Sequence, residues 1–223
     1  MRHVILNLHG IATPGRALEP DEDRYWISVD QFQAALTAAR NFAARGLRVD
    51  FTFDDGNLSD LDIAAEPLAR AGFVADIFVL SARLDHPGSL SVADLRTLQD
   101  MGHRIGTHGQ DHVDWTALDD AGRRAEWYDA RATIAEAAQA PVTAAAIPFG
   151  RYNGQVLRGL KAAGYDRVYS SHGGAVGPCD WPIPRTSLRG DMTQTDLEAI
   201  FTGTEPLRRR LRRAVSKRLK RVI

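Results

Sequence analysis

The spacing of hydrophobic and polar residues predicts that strands and helices alternate along most of the chain. Apolar residues from Val4 to Leu8 predict a buried strand, and a polar, proline-containing loop follows it. Ser28 and Gln31 form a capping box, after which apolar residues recur at helical spacing until Gly46. Residues 47–53 then alternate between apolar and polar, as a strand does.

The same two periods continue beyond this strand. They predict further strands at 74–80, around 105, at 142–147 and at 168–170, and further helices at 61–71, 91–101, 119–139 and 155–163. Five or more strand-then-helix units imply a parallel sheet covered by helices. Sheets of this kind place their functional sites at the carboxyl ends of the strands.

Length and composition predict one domain followed by a basic tail. A chain of 223 residues, 44% of them hydrophobic, is long enough to bury one large core. We assign residues 1–205 to the domain and 206–223 to the tail. Acidic and basic residues are equal in number, 28 of each, but nine basic residues lie from Leu207 onward without an acidic one. The domain therefore carries a negative excess that balances the tail.

The single cysteine, Cys179, excludes an intrachain disulfide framework. Polar residues interrupt the first nine positions too early for a signal peptide, and no segment is apolar for long enough to span a bilayer. These observations predict a cytoplasmic protein.

Two adjacent aspartates, Asp54 and Asp55, stand where a predicted strand runs into a turn at Gly56-Asn57. Consecutive side chains on a strand point to opposite sides, so we expect the two carboxylates to meet different surroundings. One could bind a cation while the other remains free as a base. An ordinary turn is the competing interpretation, since Asp, Gly and Asn are common in turns.

His108 and His112 are four residues apart, and on a helical turn they would point the same way and hold one cation. With Asp55 they would form a set of two histidines and one carboxylate, which leaves positions open for water and substrate. A pair of surface histidines on a polar turn is the alternative.

With these stretches in hand, the chain resembles the polysaccharide deacetylases of carbohydrate esterase family 4, also called the NodB homology domain. The family's first motif, Thr-Phe-Asp-Asp, stands at 52–55, its second, His-(Ser/Thr)-x-x-His, at 108–112, and its third, Pro-(Tyr/Phe)-Gly, at 148–150. The resemblance covers roughly residues 1–200 and implies a distorted, incomplete (β/α) barrel. Three motifs in order are far more specific than any one of them.

The resemblance also implies a role for the motif residues. Asp54 would be the catalytic base, and Asp55, His108 and His112 would bind a divalent metal. Zinc is the default metal, while cobalt, nickel or iron suit the same ligands. Such a cation lowers the pKa of a coordinated water to about 7, so that a neighbouring carboxylate can complete its deprotonation.

Two further segments resemble family motifs that contact the substrate. In Pro148-Phe149-Gly150, the backbone N–H of Phe149 would stabilise the oxyanion, although an ordinary turn is the alternative. In the pair Asp180-Trp181, the aromatic ring would line the substrate pocket and stack on a sugar face, although plain packing is the alternative.

The chain departs from the family pattern beside the base and in the second motif. Many family members carry an arginine two residues before the third-motif proline, where this chain has Ala146. Arg185 could replace that charge and orient Asp54, and a surface arginine is the alternative. The position after His108 is Gly109 rather than Ser or Thr.

The largest gap in the pattern is the general acid. The family's fifth motif, Leu-x-His, has no counterpart, because no histidine occurs beyond His172. A proton must still reach the departing amine. His9, at the end of the first strand, is the preferred candidate and His172 the second; for either, a loop histidine without chemistry is the competing interpretation.

The tail from Leu207 to Ile223 places apolar residues at every fourth position of an otherwise basic stretch. This pattern is typical of an interfacial helix on anionic lipid. Nucleic acid is the competing polyanion, but the acidic domain and the lack of an RNA- or DNA-binding motif argue against it. A solvated chain end is the remaining interpretation.

The expected function is that of a metal-dependent hydrolase that removes an acyl group, by default acetyl, from an amino sugar in a glycan or a lipid-linked glycan intermediate. The first alternative is a catalytically silent glycan-binding relative, because the arginine and the fifth-motif histidine are missing. The second is a hydrolase of a non-sugar amide or cyclic ureide. The sequence leaves the glycan, the acyl group and the oligomeric state open.

Overall fold

The computed structural model describes residues 1–204, which form a barrel of eight parallel strands surrounded by helices. The barrel strands are β1 (His3–Leu8), β4 (Arg48–Phe53), β5 (Ala75–Val79), β6 (Arg104–Thr107), β7 (Ala144–Ala146), β8 (Arg167–Ser170), β9 (Ile183–Pro184) and β10 (Thr186–Ser187). Their order is β10-β1-β4-β5-β6-β7-β8-β9. The two remaining strands, β2 (Gly10–Ile11) and β3 (Trp26–Ile27), pair with each other in a separate parallel ribbon.

The barrel is closed except for one seam between β9 and β10. These two short strands belong to a single segment, residues 183–187, and only Arg185 separates them. β9 pairs with β8, whereas β10 pairs with β1. The chain therefore crosses from one edge of the sheet to the other at Arg185, whose side chain is completely buried. The expected incomplete (β/α) barrel is confirmed.

In the described chain, six α-helices lie between successive barrel strands, as the alternating pattern predicts, and the seventh follows the last strand. They are α1 (Val29–Ala43), α2 (Glu66–Arg70), α3 (Val92–Asp100), α4 (Asp120–Arg124), α5 (Ala130–Ala138), α6 (Gly154–Ala162) and α7 (Gln194–Thr202). A π-helical segment, Asp60–Ala65, leads into α2, and a second, Ala125–Asp129, joins α4 to α5 into one long helix. The capping box predicted at Ser28 and Gln31 is present at the start of α1.

The interior of the barrel is filled in three layers. At the amino ends of the strands the layer is charged, and Asp76 accepts hydrogen bonds from Arg104 and Arg167. The middle layer is apolar and consists of Ile5, Phe78, Ala144, Ala146 and Tyr169. The third layer, at the carboxyl ends, is polar, and the guanidinium group of Arg185 lies 5.3 Å from the ring centre of Phe78. The apolar layer thus separates the two polar ends of the barrel.

The segment after β1 departs from the sequence expectation. The sequence predicts a loop to about Tyr25, but this stretch contains β2 and a 3₁₀ helix (Asp23–Tyr25), and β3 follows it directly. Two-residue strands are too short to show a hydrophobic period. The strand expected at 142–147 is shorter, Ala144–Ala146, and a 3₁₀ turn begins soon after it at Pro148.

The last helix, α7, ends beside the amino end of β1. Arg2 donates a hydrogen bond to the carbonyl oxygen of Ile200 (3.2 Å), and Phe201 stacks on Phe42 of α1. The described chain therefore ends at the face of the barrel formed by the amino ends of the strands. The basic tail predicted at 206–223 lies outside the described residues. Among residues 1–204, no helix is both long and apolar enough to cross a bilayer.

Candidate active site

The carboxyl ends of the strands surround a cavity of about 350 Å³. Six of the residues predicted for the site line this cavity: His9, Asp54, Asp55, His108, His112 and Phe149. They come from the ends of β1, β4, β6 and β7, four strands that are neighbours or near neighbours in the barrel. The cavity is therefore at the position where parallel barrels carry their active sites.

Asp55, His108 and His112 converge on one point of this cavity. One ligand atom of each lies within 4.8 Å of the others, and Oδ1 of Asp55 is 3.6 Å from Nε2 of both histidines. Both carboxylate oxygens of Asp55 are buried, and neither has a hydrogen-bond partner among the described residues. A buried carboxylate without a partner is unfavourable unless a cation binds it. The donor set fits a divalent cation such as zinc.

A hydrogen bond at Nδ1 of each imidazole ring determines that Nε2 faces Asp55. Nδ1 of His108 donates to the carbonyl oxygen of Ala146 (2.9 Å), and Nδ1 of His112 donates to the carboxylate of Glu19 (2.8 Å). Because Nδ1 carries the proton, Nε2 of each neutral ring keeps a lone pair for a cation. Burial lowers the pKa of His108 to about 4, so its ring is neutral near pH 7.

The loop that carries these histidines is not the helical turn that the sequence analysis assumed. β6 ends at Thr107, and Gly109 and His112 have positive φ angles of 94° and 53°. The two rings nevertheless lie side by side, with centroids 5.2 Å apart. The prediction that they share one cation site agrees with this geometry, but the helical argument for it was wrong.

Glu126, which the sequence analysis did not identify, holds this loop in place. Its buried carboxylate accepts hydrogen bonds from the backbone N–H groups of Gln110 (2.9 Å) and Asp111 (3.1 Å) and from Nε1 of Trp115 (3.1 Å). A Cβ atom at Gly109 would collide with Oε2 of Glu126. Glu126 therefore occupies the space that a Ser or Thr at position 109 would need.

Asp54 has surroundings different from those of Asp55, as the sequence predicts. Arg185 donates from Nη1 to Oδ1 (2.6 Å) and from Nη2 to Oδ2 (2.8 Å), and Asn7 donates to Oδ2 (2.9 Å). Burial alone would raise the pKa of Asp54, but the charges of Arg185, His108 and His9 and the hydrogen bonding of Arg185 together outweigh it and lower the pKa below its usual range. Asp54 is thus ionised and held in one orientation. Arg185 is buried against it, which excludes the surface-arginine interpretation.

The model of the polysaccharide deacetylase family matches residues 44–168, more than half of the chain and all three motif positions. The chain belongs to the polysaccharide deacetylase family. Among curated relatives, YxkH of Bacillus subtilis (strain 168), named as a polysaccharide deacetylase, is 23% identical over 180 residues. That match covers 79% of this chain and 64% of YxkH, so the chain spans less than two-thirds of that relative.

Two solved structures share the fold of this family member. The deacetylase PplD of Streptococcus pyogenes superposes with a TM-score of 0.75 at 18% identity, over 92% of this chain and 99% of PplD. IcaB from Ammonifex degensii superposes with a TM-score of 0.72 at 21% identity, over 90% of this chain and 97% of IcaB. At these identities the likeness shows the fold alone, a deacetylase-type barrel.

Of the two histidines considered for the missing fifth motif of the family, one lines the cavity. His9 lies with Nε2 3.9 Å from Oδ2 of Asp54, and its ring stacks on Tyr25 at 4.7 Å. His172 is not among the lining residues, and its Nδ1 lies 2.5 Å from Oγ of Ser170. The geometry therefore favours His9 over His172.

Of the two segments expected to contact the substrate, the third-motif turn lies at the cavity and Trp181 does not. Phe149 has a positive φ angle of 57°, and its half-exposed ring lies 4.4 Å from that of His112, so it covers this imidazole from one side. Pro148 is buried beside it. Trp181 packs against the hydrophobic cluster around Trp115 and is not among the residues lining the cavity. The packing interpretation of Trp181 is the one that the structure favours.

Sequence reasoning missed Asn7 and Glu19, although each touches a predicted site residue. Asn7 left a signal, because it is the one amide in the apolar strand β1; its Oδ1 accepts from Arg185 (2.8 Å) and Thr52 (2.7 Å). Glu19 left none, since it lies in a polar loop with other acidic residues.

Proposed function

We propose that this protein hydrolyses the N-acyl amide of an amino sugar, with acetyl as the acyl group, by means of a divalent cation held by Asp55, His108 and His112. The proposal rests on one observation: Asp55, His108 and His112 lie in the same cavity as an ionised carboxylate, that of Asp54. Membership of the polysaccharide deacetylase family supports this class of reaction.

Asp54 is the proposed base. A cation held by the three ligands would polarise the acyl carbonyl and lower the pKa of a water molecule to about 7. A carboxylate has about four lone-pair positions, and Arg185 and Asn7 occupy three of those of Asp54. The remaining one can accept the proton of the attacking water. Arg185 and Asn7 act as positioning residues, because they fix the direction of that lone pair.

His9 is the proposed proton donor to the leaving amine. Water adds its hydroxyl group to the carbonyl carbon, the C–N bond breaks, and the nitrogen departs with a proton as the free amine. His9 lies near enough to Asp54, with Nε2 at 3.9 Å, to serve the same reacting amide. The backbone N–H of Phe149 is the proposed donor to the oxyanion.

The proposed substrate places one acylated amino sugar in the cavity. Its volume of about 350 Å³ is at the small end of ligand sites. Its lining is polar and carries both signs of charge, and includes Asp21, Glu22, Arg24 and Arg151. The rest of a glycan or a lipid-linked intermediate would remain outside.

The test is acetate release from N-acetylglucosamine-containing oligosaccharides by zinc-loaded protein. Asp54→Asn should lower kcat by about 10²- to 10⁴-fold, the range typical of a lost general base. Asp50→Asn is the matched control, because Asp50 lies on the same strand but pairs with His3 at the far end of the barrel. The control should retain activity.

Each other outcome contradicts a defined part of the proposal. Full activity of Asp54→Asn would show that Asp54 is not the base. Wild-type protein that binds zinc without turnover on any N-acyl sugar would favour the silent glycan-binding relative. Turnover restricted to non-sugar amides would favour the second alternative.

We also propose that residues 207–223 dock a cytoplasmic protein on the anionic inner face of a membrane, which would suit a lipid-linked sugar as substrate. The support is their sequence pattern of apolar and basic residues, each basic residue contributing about 1 kcal/mol near such a surface. Flotation with anionic vesicles should separate full-length protein from a form lacking residues 207–223. Equal partitioning of both forms would reject the proposal.

A further inference from the structure

Glu19 connects His112, one of the three proposed metal ligands, to a part of the chain that carries none of the family motifs. It belongs to residues 12–25, between β2 and the end of the 3₁₀ helix, which we call the front wall of the cavity. Its Oε2 accepts the Nδ1 proton of His112 at 2.8 Å, and its Oε1 accepts a hydrogen bond from Arg83. The front wall thus contacts the loop after β6 through one carboxylate.

Glu22 and Arg16, both within the front wall, fix the position of Glu19 through hydrogen bonds and an ion pair. Glu22, which is 7% exposed, accepts the backbone N–H of Glu19 (2.8 Å) and pairs with the guanidinium group of Arg16. Arg16 also donates from Nε to Oδ1 of Asn57 (2.9 Å), and Asn57 donates to the carbonyl oxygen of His9 (3.0 Å). The front wall is therefore fixed to the turn that follows Asp54 and Asp55.

The two histidines depend on their supports differently. His108 is fixed by the backbone carbonyl of Ala146, in the middle of the barrel. His112 has a left-handed backbone conformation, at φ 53°, and its Nδ1 contact comes from a side chain on another segment. The orientation and tautomer of His112 therefore depend on where the front wall lies.

We propose that Glu19 is a positioning residue for His112, and that a bound cation in turn holds the front wall against the site. The inference rests on the proposed metal site but not on the reaction. Coupling between two events is reciprocal: if docking of the front wall raises the affinity for the cation, the cation stabilises docking by the same free energy.

The first experiment measures zinc affinity of full-length, chelator-treated protein by competition with a chromophoric chelator. Glu19→Ala should weaken zinc binding about 10- to 100-fold, the range for lost supports of metal ligands. Glu19→Gln should recover most of that loss, because its amide oxygen still accepts the Nδ1 proton. Asp23→Asn is the matched control, since it removes one charge from an exposed position of the same segment that does not line the cavity.

Unchanged affinity in Glu19→Ala would overturn the proposal. Equal weakening in Asp23→Asn would also overturn it, because the effect would then reflect net charge alone.

A second measurement keeps the inference testable if a variant folds poorly. Hydrogen exchange of residues 12–25 should slow when zinc is added to the wild type, and this response should be lost in Glu19→Ala. Exchange in the wild type that does not respond to bound zinc would overturn the coupling. Neither measurement uses substrate, so failure of the proposed deacetylation and failure of this inference remain distinguishable.

Discussion

At the scale of single residues, Arg185 and Asp54 form a buried ion pair in which the guanidinium group donates a hydrogen bond to each carboxylate oxygen. Removing one partner leaves the other charge buried and unpaired, which typically costs about 3–5 kcal/mol. Arg185→Met should therefore lower the free energy of unfolding by about that amount, as measured by urea denaturation. The free energy of unfolding of Arg185→Lys should lie between those of the wild type and Arg185→Met, because lysine keeps the charge but not the planar fork that contacts both oxygens.

The double variant Asp54→Asn with Arg185→Met provides the control. Because it leaves no unpaired charge, its loss should be smaller than the sum of the two single losses. Additive losses would show that the pair does not act as a unit.

Gly109 carries a second prediction at this scale. Its φ angle of 94° is unfavourable for a residue with a side chain, and Glu126 fills the adjacent space. Gly109→Ser, which restores the family's hydroxyl, should lower the free energy of unfolding by more than about 1 kcal/mol. Thermal or urea denaturation measures the change.

A double-mutant cycle with Glu126→Ala separates the two causes of that loss. Removing the carboxylate relieves the collision but not the backbone strain, so the two substitutions together should cost less than their sum. A strictly additive result would mean that Glu126 does not limit position 109.

At the scale of elements, His103 joins three of them. Its Nδ1 accepts the backbone N–H of Ala75 at the start of β5 (3.1 Å), and its Nε2 donates to the carbonyl oxygen of Ala65 before α2 (3.0 Å). Burial, with a smaller contribution from Arg104, lowers the pKa of His103 below its ordinary value. The folded protein therefore holds this ring in its neutral form.

The pH dependence of stability follows from that shift. As the pH falls below about 6.5, the unfolded chain binds a proton at His103 before the folded chain does, so stability is lost by up to about 1.4 kcal/mol per pH unit. The loss ends once the folded form is protonated as well. Urea denaturation between pH 8 and pH 5 should show a steeper decline for the wild type than for His103→Gln.

His86→Gln removes an exposed histidine and provides the matched comparison. Its decline with pH should follow that of the wild type. Identical declines for the wild type and His103→Gln would contradict the assignment.

At the scale of the whole molecule, the proposed ligands Asp55, His108 and His112 belong to two loops that are distant in sequence, so cation binding should stabilise the entire fold. At a free zinc concentration one hundred times Kd, binding contributes about 2.7 kcal/mol. For a domain of this size that corresponds to a rise in Tm of roughly 5–10 °C. A thermal melt with and without chelator measures it, and His112→Gln should abolish the difference. A wild-type Tm that does not change when zinc is added would contradict the proposed metal site.

The alternation of strands and helices was predictable because each element repeats a local hydrophobic period. The carboxyl ends of β4 and β6 could also be assigned to one site, because parallel strands bring them together. The order of β9 and β10 around the seam could not, since two-residue strands show no period. Only the structure reveals that Arg185 lies where the sheet changes edges.

The supporting contacts of the site were beyond sequence reasoning for a different reason. Glu19 and His112 are 93 residues apart, and Asn7 and Arg185 are 178 apart. No local period links such pairs, and each of these residues is ordinary in its own surroundings. Their roles depend on tertiary contacts, which the pattern of a single segment does not contain.

The place where α7 ends has a consequence for how the domain would sit on any surface that its tail reached. Thr204 follows Gly203, which lies against Arg2 at the amino ends of the strands, whereas the cavity opens at their carboxyl ends. A six-residue strand such as β4, about 20 Å long, separates the two ends. If the tail bound a membrane directly beside Thr204, the cavity would open away from that membrane; only a tail that runs back along the domain would bring the cavity to a lipid-linked sugar.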